Sequence, residues 1–144
     1  MPELVDVVDE NDTVIKSGVV KQAIYDNRWR NRIAHIFAIE RSTGKLALQT
    51  RGLDISYMPG KICTACGHVQ TGEDWDTAAR RELEEELGLT GPVEFIGKAD
   101  YLGKNGQPHM FGVYKTYFDE GEIKPCPREV HAIHMMTMQE LEQR

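Results

Sequence analysis

Apolar and polar positions alternate along much of the chain with the two-residue period of half-buried strands. Leu4-Val5-Asp6-Val7-Val8, the turn-forming Glu10-Asn11-Asp12 and residues 13–15 predict a hairpin. Residues 33–39 and 46–49 predict two strands around Ser42-Thr43-Gly44. Residues 93–102 and 110–118 predict two more around Gly103-Lys104-Asn105-Gly106, and 130–136 a further one. Residues 54–61, with Pro59-Gly60, predict a loop. Short helices are expected over 19–25 and 138–143. The clearest helix is 74–87, rich in Ala, Leu, Glu and Arg, with Gly88 where a C-terminal cap belongs. Strands around one dominant helix, without regular βαβ alternation, predict an α/β fold in which helices pack on a mixed sheet.

Composition narrows the classes. A chain of 144 residues is expected to form one domain over 1–144, with a real core. Hydrophobic residues at 40% and charged residues at 28% are ordinary for a soluble protein. Stretches such as Ile36-Phe37-Ala38-Ile39 are too short to span a bilayer. The opening Met1-Pro2-Glu3-Leu4-Val5-Asp6 lacks the basic-then-apolar order of a signal peptide. Seventeen basic against 23 acidic residues give a net charge of −6, which disfavours a nucleic-acid polymer or an anionic membrane as partner. A polyanionic substrate would need local positive charge, and a bound metal is the candidate. Three cysteines, Cys63, Cys66 and Cys126, fit a reducing, cytoplasmic setting better than a disulfide framework.

The dominant helix carries the chemistry. At 100° per residue, Glu85 and Glu86 lie i+3 and i+4 from Glu82, so the three carboxylates share a face and Glu84 points away. Ala79, Leu83 and Leu87 form an adjoining apolar stripe that can dock on the sheet. Clustered carboxylates repel unless something positive joins them. A hard cation would serve. So would Arg80 or Arg81, which would make this a solvated helix with Glu–Arg pairs.

The wider spacing favours the cation. From Gly67 to Leu89 the chain runs 23 residues with nine defining positions: Gly67, Glu73, Arg81, Glu82, Leu83, Glu85, Glu86, Gly88 and Leu89. This segment resembles the Nudix box at every one of them. The Leu4-Val5-Asp6-Val7-Val8-Asp9-Glu10 start and Ala65-Cys66-Gly67-His68-Val69 are similar to the bacterial branch of the Nudix hydrolase superfamily near isopentenyl diphosphate isomerase. The resemblance implies an α/β/α sandwich and Mg²⁺- or Mn²⁺-dependent hydrolysis of a phosphoanhydride in a small diphosphate substrate. It implies Glu82 and Glu86 as metal ligands and Glu85 as a further ligand or neighbour, with the Cys66 carbonyl completing the site. Glu82 or Glu85 would serve as general base, and Arg81 would pair with Glu73 or Glu82 to fix the helix. Glu129 is a candidate for a later acidic ligand, whereas Glu120 and Glu122 read as solvated turn residues.

Other readings stay open on the sequence. Cys63-Thr64-Ala65-Cys66 is a CxxC, but no second CxxC completes a zinc site, and the two cysteines read as strand-end residues before the box. Cys66-Gly67-His68 is similar to the stretch in which the isomerases carry an acid cysteine and a metal histidine. The isomerases' upstream histidine would fall near Arg32, with His35 out of step, and their glutamate pair near Pro127 and Glu129. A non-catalytic diphosphate-binding module would be expected to lack box glutamates, and none is lost. Trp29, Tyr57, Trp75, Tyr101, Phe111 and Tyr114 could each stack on a base. Tyr101 and Pro108 do not fall where Nudix subfamilies carry their substrate-marking residues. The oligomeric state is open, a homodimer included.

Overall fold

The computed structural model describes residues 3–51, 62–103, 105–126 and 130–142. The expected loop at 54–61, with Tyr57, and the positions Pro127 and Glu129 lie outside the described residues.

Strand β1 (Leu4–Val8) pairs antiparallel with β2 (Val14–Val20). Asp12 closes their turn at φ 64°, and the Asp9 carboxylate accepts from the Asn11 and Thr13 amides, both at 2.9 Å. Helix α1 (Lys21–Asn27) begins two residues later than the sequence pattern implies. The β-branched Val19 and Val20 instead extend β2, opposite Val5 and Leu4.

The larger sheet holds β3 (Asn31–Glu40), β4 (Leu46–Arg51), β5 (Ile62–Cys63), β6 (Ala65–His68), β7 (Glu94–Leu102), β8 (Pro108–Phe118) and β9 (Val130–Met136). Strands β3 and β8 are parallel over ten residue pairs and every other pairing is antiparallel, so the sheet is mixed. One edge of β3 is divided: Ile33 to Ile36 pair with β6, and Ala38 and Ile39 pair with β4. Two short strands, β4 and β6, thus follow one another along that edge of β3.

Alternation assigns the faces. Ala34, Ile36, Ala38, Ala65 and Tyr114 pack with Ala79, Leu83 and Leu87 of helix α2 (Trp75–Leu87). The small Ala side chains let this helix sit close to the sheet. On the other face Leu46, Leu48 and Met136 pack with Phe37, Ile39 and Leu141 of helix α3 (Met138–Glu142). Helices thus cover both faces of a mixed sheet, the α/β/α arrangement expected. No described helix is long and apolar enough to cross a membrane.

Candidate metal centre

Helix α2 is fixed at both ends. Asp74 Oδ1 accepts from the Thr77 amide at 2.7 Å, a side-chain N-cap. Gly88 adopts φ 70°, and its N–H donates to the Glu84 carbonyl at 3.0 Å. The segment after the helix returns to finish the cap: the Lys124 amide donates to Leu87 O at 2.8 Å and the Cys126 amide to Glu86 O at 3.0 Å. With the apolar stripe buried on the sheet, the neighbouring edge of the helix turns Glu82 and Glu86 onto β6 and β4.

Glu86 is 1% exposed and Glu82 is 7% exposed. Carboxylates are rarely this buried unless partnered. One oxygen of Glu86, Oε1, accepts from Gln49 Nε2 and from the Cys66 amide, the latter at 3.3 Å. The carboxyl group of Glu82 lies where a Cβ on Gly67 would sit. Burial and the adjoining Glu86 raise the Glu82 carboxyl well above the usual carboxylate range. Two carboxyl groups this close and this buried repel when both are ionised, a cost that a bound cation would relieve.

Arg81 ties the loop before the helix to the helix itself. Its Nε and Nη2 donate to the two oxygens of Glu73 at 2.7 and 2.9 Å, a bidentate pair. Its Nη1 donates to Glu82 at 2.7 Å and to Glu85 at 3.3 Å, and Nη2 also reaches the His68 carbonyl at 3.0 Å. Burial pushes the Glu73 carboxyl up, but Arg81 and the Gln70 amide more than offset this and hold it low.

Of the residues expected in the site, Glu82 and Glu86 meet and are buried. Glu85 stands at the rim on Arg81, with 47% of its side chain exposed. Cys66 reaches Glu86 through its backbone N–H. Its buried thiol packs with Ile33 and lies 3.8 Å from the Cys63 thiol, and neither forms a disulfide. His68 faces away from the helix, opposite Ile33 across the β3–β6 pairing, with Nε2 2.7 Å from the Tyr25 hydroxyl. Among the described residues, no three His, Cys, Asp or Glu side chains form a ready-made metal cage. This agrees with Glu85 being drawn off to Arg81. Glu129 lies outside the described residues.

Two features were not anticipated. Gln49 is one; its only signal is a long polar residue after the apolar Leu46-Ala47-Leu48. The other is a clamp on Asp12. Arg32 Nε donates to Asp12 Oδ1 at 2.6 Å, Trp75 Nε1 to Oδ2 at 3.0 Å, and Lys98 pairs with the same carboxylate. Arg32 is therefore a structural ion-pair partner of Asp12. The Trp75 ring lies on the bare backbone of Gly112, where a Cβ would collide with it.

The residues present fit a hard divalent cation. The side-chain donors are oxygens, and the bare backbone of Gly67 lets the Glu82 carboxyl lie against β6. The buried Oε1 of Gln49, next to Glu86, has no hydrogen-bond partner among the described residues. A polar atom buried without a partner is a place where an ion or water belongs.

The chain is similar to known proteins over most of its length. The NUDIX domain family model matches residues 29–144. An uncharacterized Nudix hydrolase of Yersinia pestis is 32% identical over 140 residues, covering 96% of this chain and 75% of the relative. An isopentenyl-diphosphate Delta-isomerase of Serratia proteamaculans is 28% identical over 146 residues, covering 98% of this chain and 80% of that protein. A solved structure from Deinococcus radiodurans superposes with a TM-score of 0.80 at 22% identity, over 99% of this chain and 88% of its own. With box, fold and relatives in accord, this chain belongs to the Nudix hydrolase family.

Proposed function

We propose that this protein hydrolyses a phosphoanhydride bond in a small diphosphate-containing molecule, using Mg²⁺ or Mn²⁺ held by Glu82 and Glu86. The observation that carries the reading is the buried pair Glu82 and Glu86, with the Glu82 carboxyl against Gly67. Two buried acids in contact are costly without a cation and useful with one. The ion, when bound, neutralises phosphate charge and acidifies water.

The chain supplies the rest. Glu86 is held in one orientation by Gln49 and the Cys66 amide. Glu85, at the exposed rim, or Glu82, beside Glu86, takes the proton of the attacking water. The water oxygen bonds to phosphorus, the bridging P–O bond breaks, and its electron pair leaves with the departing phosphate. Arg81, spread over Glu73, Glu82, Glu85 and the His68 carbonyl, keeps helix and loop in register through this exchange. General-base assistance of this kind contributes about 10²–10⁴-fold.

The test is a phosphate-release screen with Mg²⁺ or Mn²⁺ over nucleotide sugars, dinucleotides, nucleoside di- and triphosphates and prenyl diphosphates. Release that stops on chelation supports the reading. No metal-dependent release from any class would refute it.

A further inference from the structure

We infer that Gln49 is a positioning residue of the metal centre: it holds one oxygen of Glu86 and presents its own buried amide oxygen to the cation or to its water. This rests on the metal-dependent reading above.

Strand β4 is apolar around this position. Leu46, Ala47 and Leu48 are all buried, and Gln49 is 1% exposed, opposite Cys63 on β5 and Ile133 on β9. Burying an amide here instead of an aliphatic side chain costs stability unless both ends of the amide are bonded. Only one end is. Nε2 donates to Glu86 Oε1, whereas Gln49 Oε1 has no partner among the described residues. The amide cannot gain by turning over, because its oxygen would then face a carboxylate oxygen, acceptor against acceptor.

Glu86 Oε1 is also the oxygen that accepts from the Cys66 amide. Two donors from two strands thus grip one oxygen, and the carboxylate cannot rotate without losing both. The unpartnered amide oxygen is bonded to the same carbon as Nε2, so it lies beside that carboxylate. Amide oxygens are ordinary ligands of hard cations and ordinary acceptors for the water around them. A side chain kept only for packing would be neither polar nor half-satisfied.

The experiment is Mn²⁺ titration of the full chain, followed by electron paramagnetic resonance, with metal-free and metal-loaded melting temperatures measured alongside. Gln49→Met keeps the volume and removes both polar ends. It is expected to weaken Mn²⁺ binding about 10–100-fold, the range seen when groups that orient metal ligands are removed. Gln49→Glu keeps an oxygen but sets a like charge beside Glu86. It should lower the metal-free melting temperature, gain more from Mn²⁺ than the parent does, and bind Mn²⁺ more tightly than Gln49→Met. A packing role alone would lower melting temperatures and leave Mn²⁺ affinity at the parent value, which overturns the inference. If Gln49→Met does not fold, Gln49→Glu decides, and a melting gain from Mn²⁺ no larger than the parent's overturns it. Glu86→Gln separates the two readings. Lost binding in Glu86→Gln with parental binding in Gln49→Met removes only the Gln49 role, whereas a parent that takes up no Mn²⁺ removes both.

Discussion

The carboxyl group of Glu82 occupies the space that a side chain on Gly67 would fill. Helix α2 and strand β6 are therefore as close as they can come with a glutamate between them. Gly67→Ala is expected to keep the fold, because the obstructing atoms are the far end of a flexible side chain. It should displace Glu82 from Glu86 and lower both Mn²⁺ affinity and hydrolysis about tenfold or more. Parental affinity and rate in a folded Gly67→Ala protein would show that the contact is incidental.

Glu86→Gln changes one charge and almost no volume. The amide can still accept from Gln49 and Cys66 through its oxygen, so the fold should hold. Hydrolysis should fall about 10²-fold or more, since the ion loses a charged ligand and not merely a supporting group. Steady-state rates across a Mg²⁺ series check this, and turnover equal to the parent at every concentration would exclude Glu86 as a ligand.

Metal-free stability should fall as pH rises. An unfolded glutamate ionises near pH ~4.3. In the folded protein burial and Glu86 keep Glu82 protonated to higher pH, so over that interval the folded state binds more protons than the unfolded one. Stability then declines from about pH 4.3 upward until Glu82 ionises in the folded state. Mg²⁺, which favours the ionised pair, should flatten the decline. Melting temperatures in chelator and in Mg²⁺ test the sign, and a Glu82→Gln protein with the parent's metal-free pH profile would contradict it.

Cys66→Ala should retain most hydrolysis. Cys66 contacts Glu86 through its backbone amide, which alanine keeps, and its thiol packs with Ile33 on the face away from the helix. An acid–base role for that thiol would instead cost about 10²-fold or more. Isopentenyl diphosphate is the second arm of the test. Isomerisation by the parent that disappears in Cys66→Ala, with no hydrolysis of any diphosphate, would favour isomerase chemistry.

Asp12 is the common acceptor for Arg32, Lys98 and Trp75, and its carboxyl stays low despite burial because Lys98, Arg32 and Trp75 all bond it. Asp12→Asn tolerates the left-handed backbone but leaves two cations without their counter-charge. Lys98 is partly exposed, which softens the effect, so a loss of about 1–3 kcal/mol is expected by denaturant titration. An unchanged midpoint would mean that solvent already screens the cluster.

Helix α2 was legible because its determinants are local. Propensity, the Asp74 and Gly88 caps and the Ala79, Leu83, Leu87 stripe all lie within the segment, and the expected and observed ends differ by one residue. The strands were legible from their period, apart from the short β5 and β6, which were not expected, and β2, where Val19 and Val20 pair with a strand earlier in the chain rather than opening a helix. The CxxC cysteines proved to end β5 and to lie within β6.

The sequence by itself determined that Glu82, Glu85 and Glu86 share a helical face, since 100° per residue requires it. It could not determine how that face divides. Docking of the apolar stripe sets the helix rotation, which buries Glu82 and Glu86 and leaves Glu85 at the rim with Arg81. Nor could it reveal Gln49, 37 residues from Glu86 along the chain. Their meeting depends on β4 and β6 sharing one edge of β3, and strand register of that kind arises from packing across the whole sheet rather than from any local run of residues.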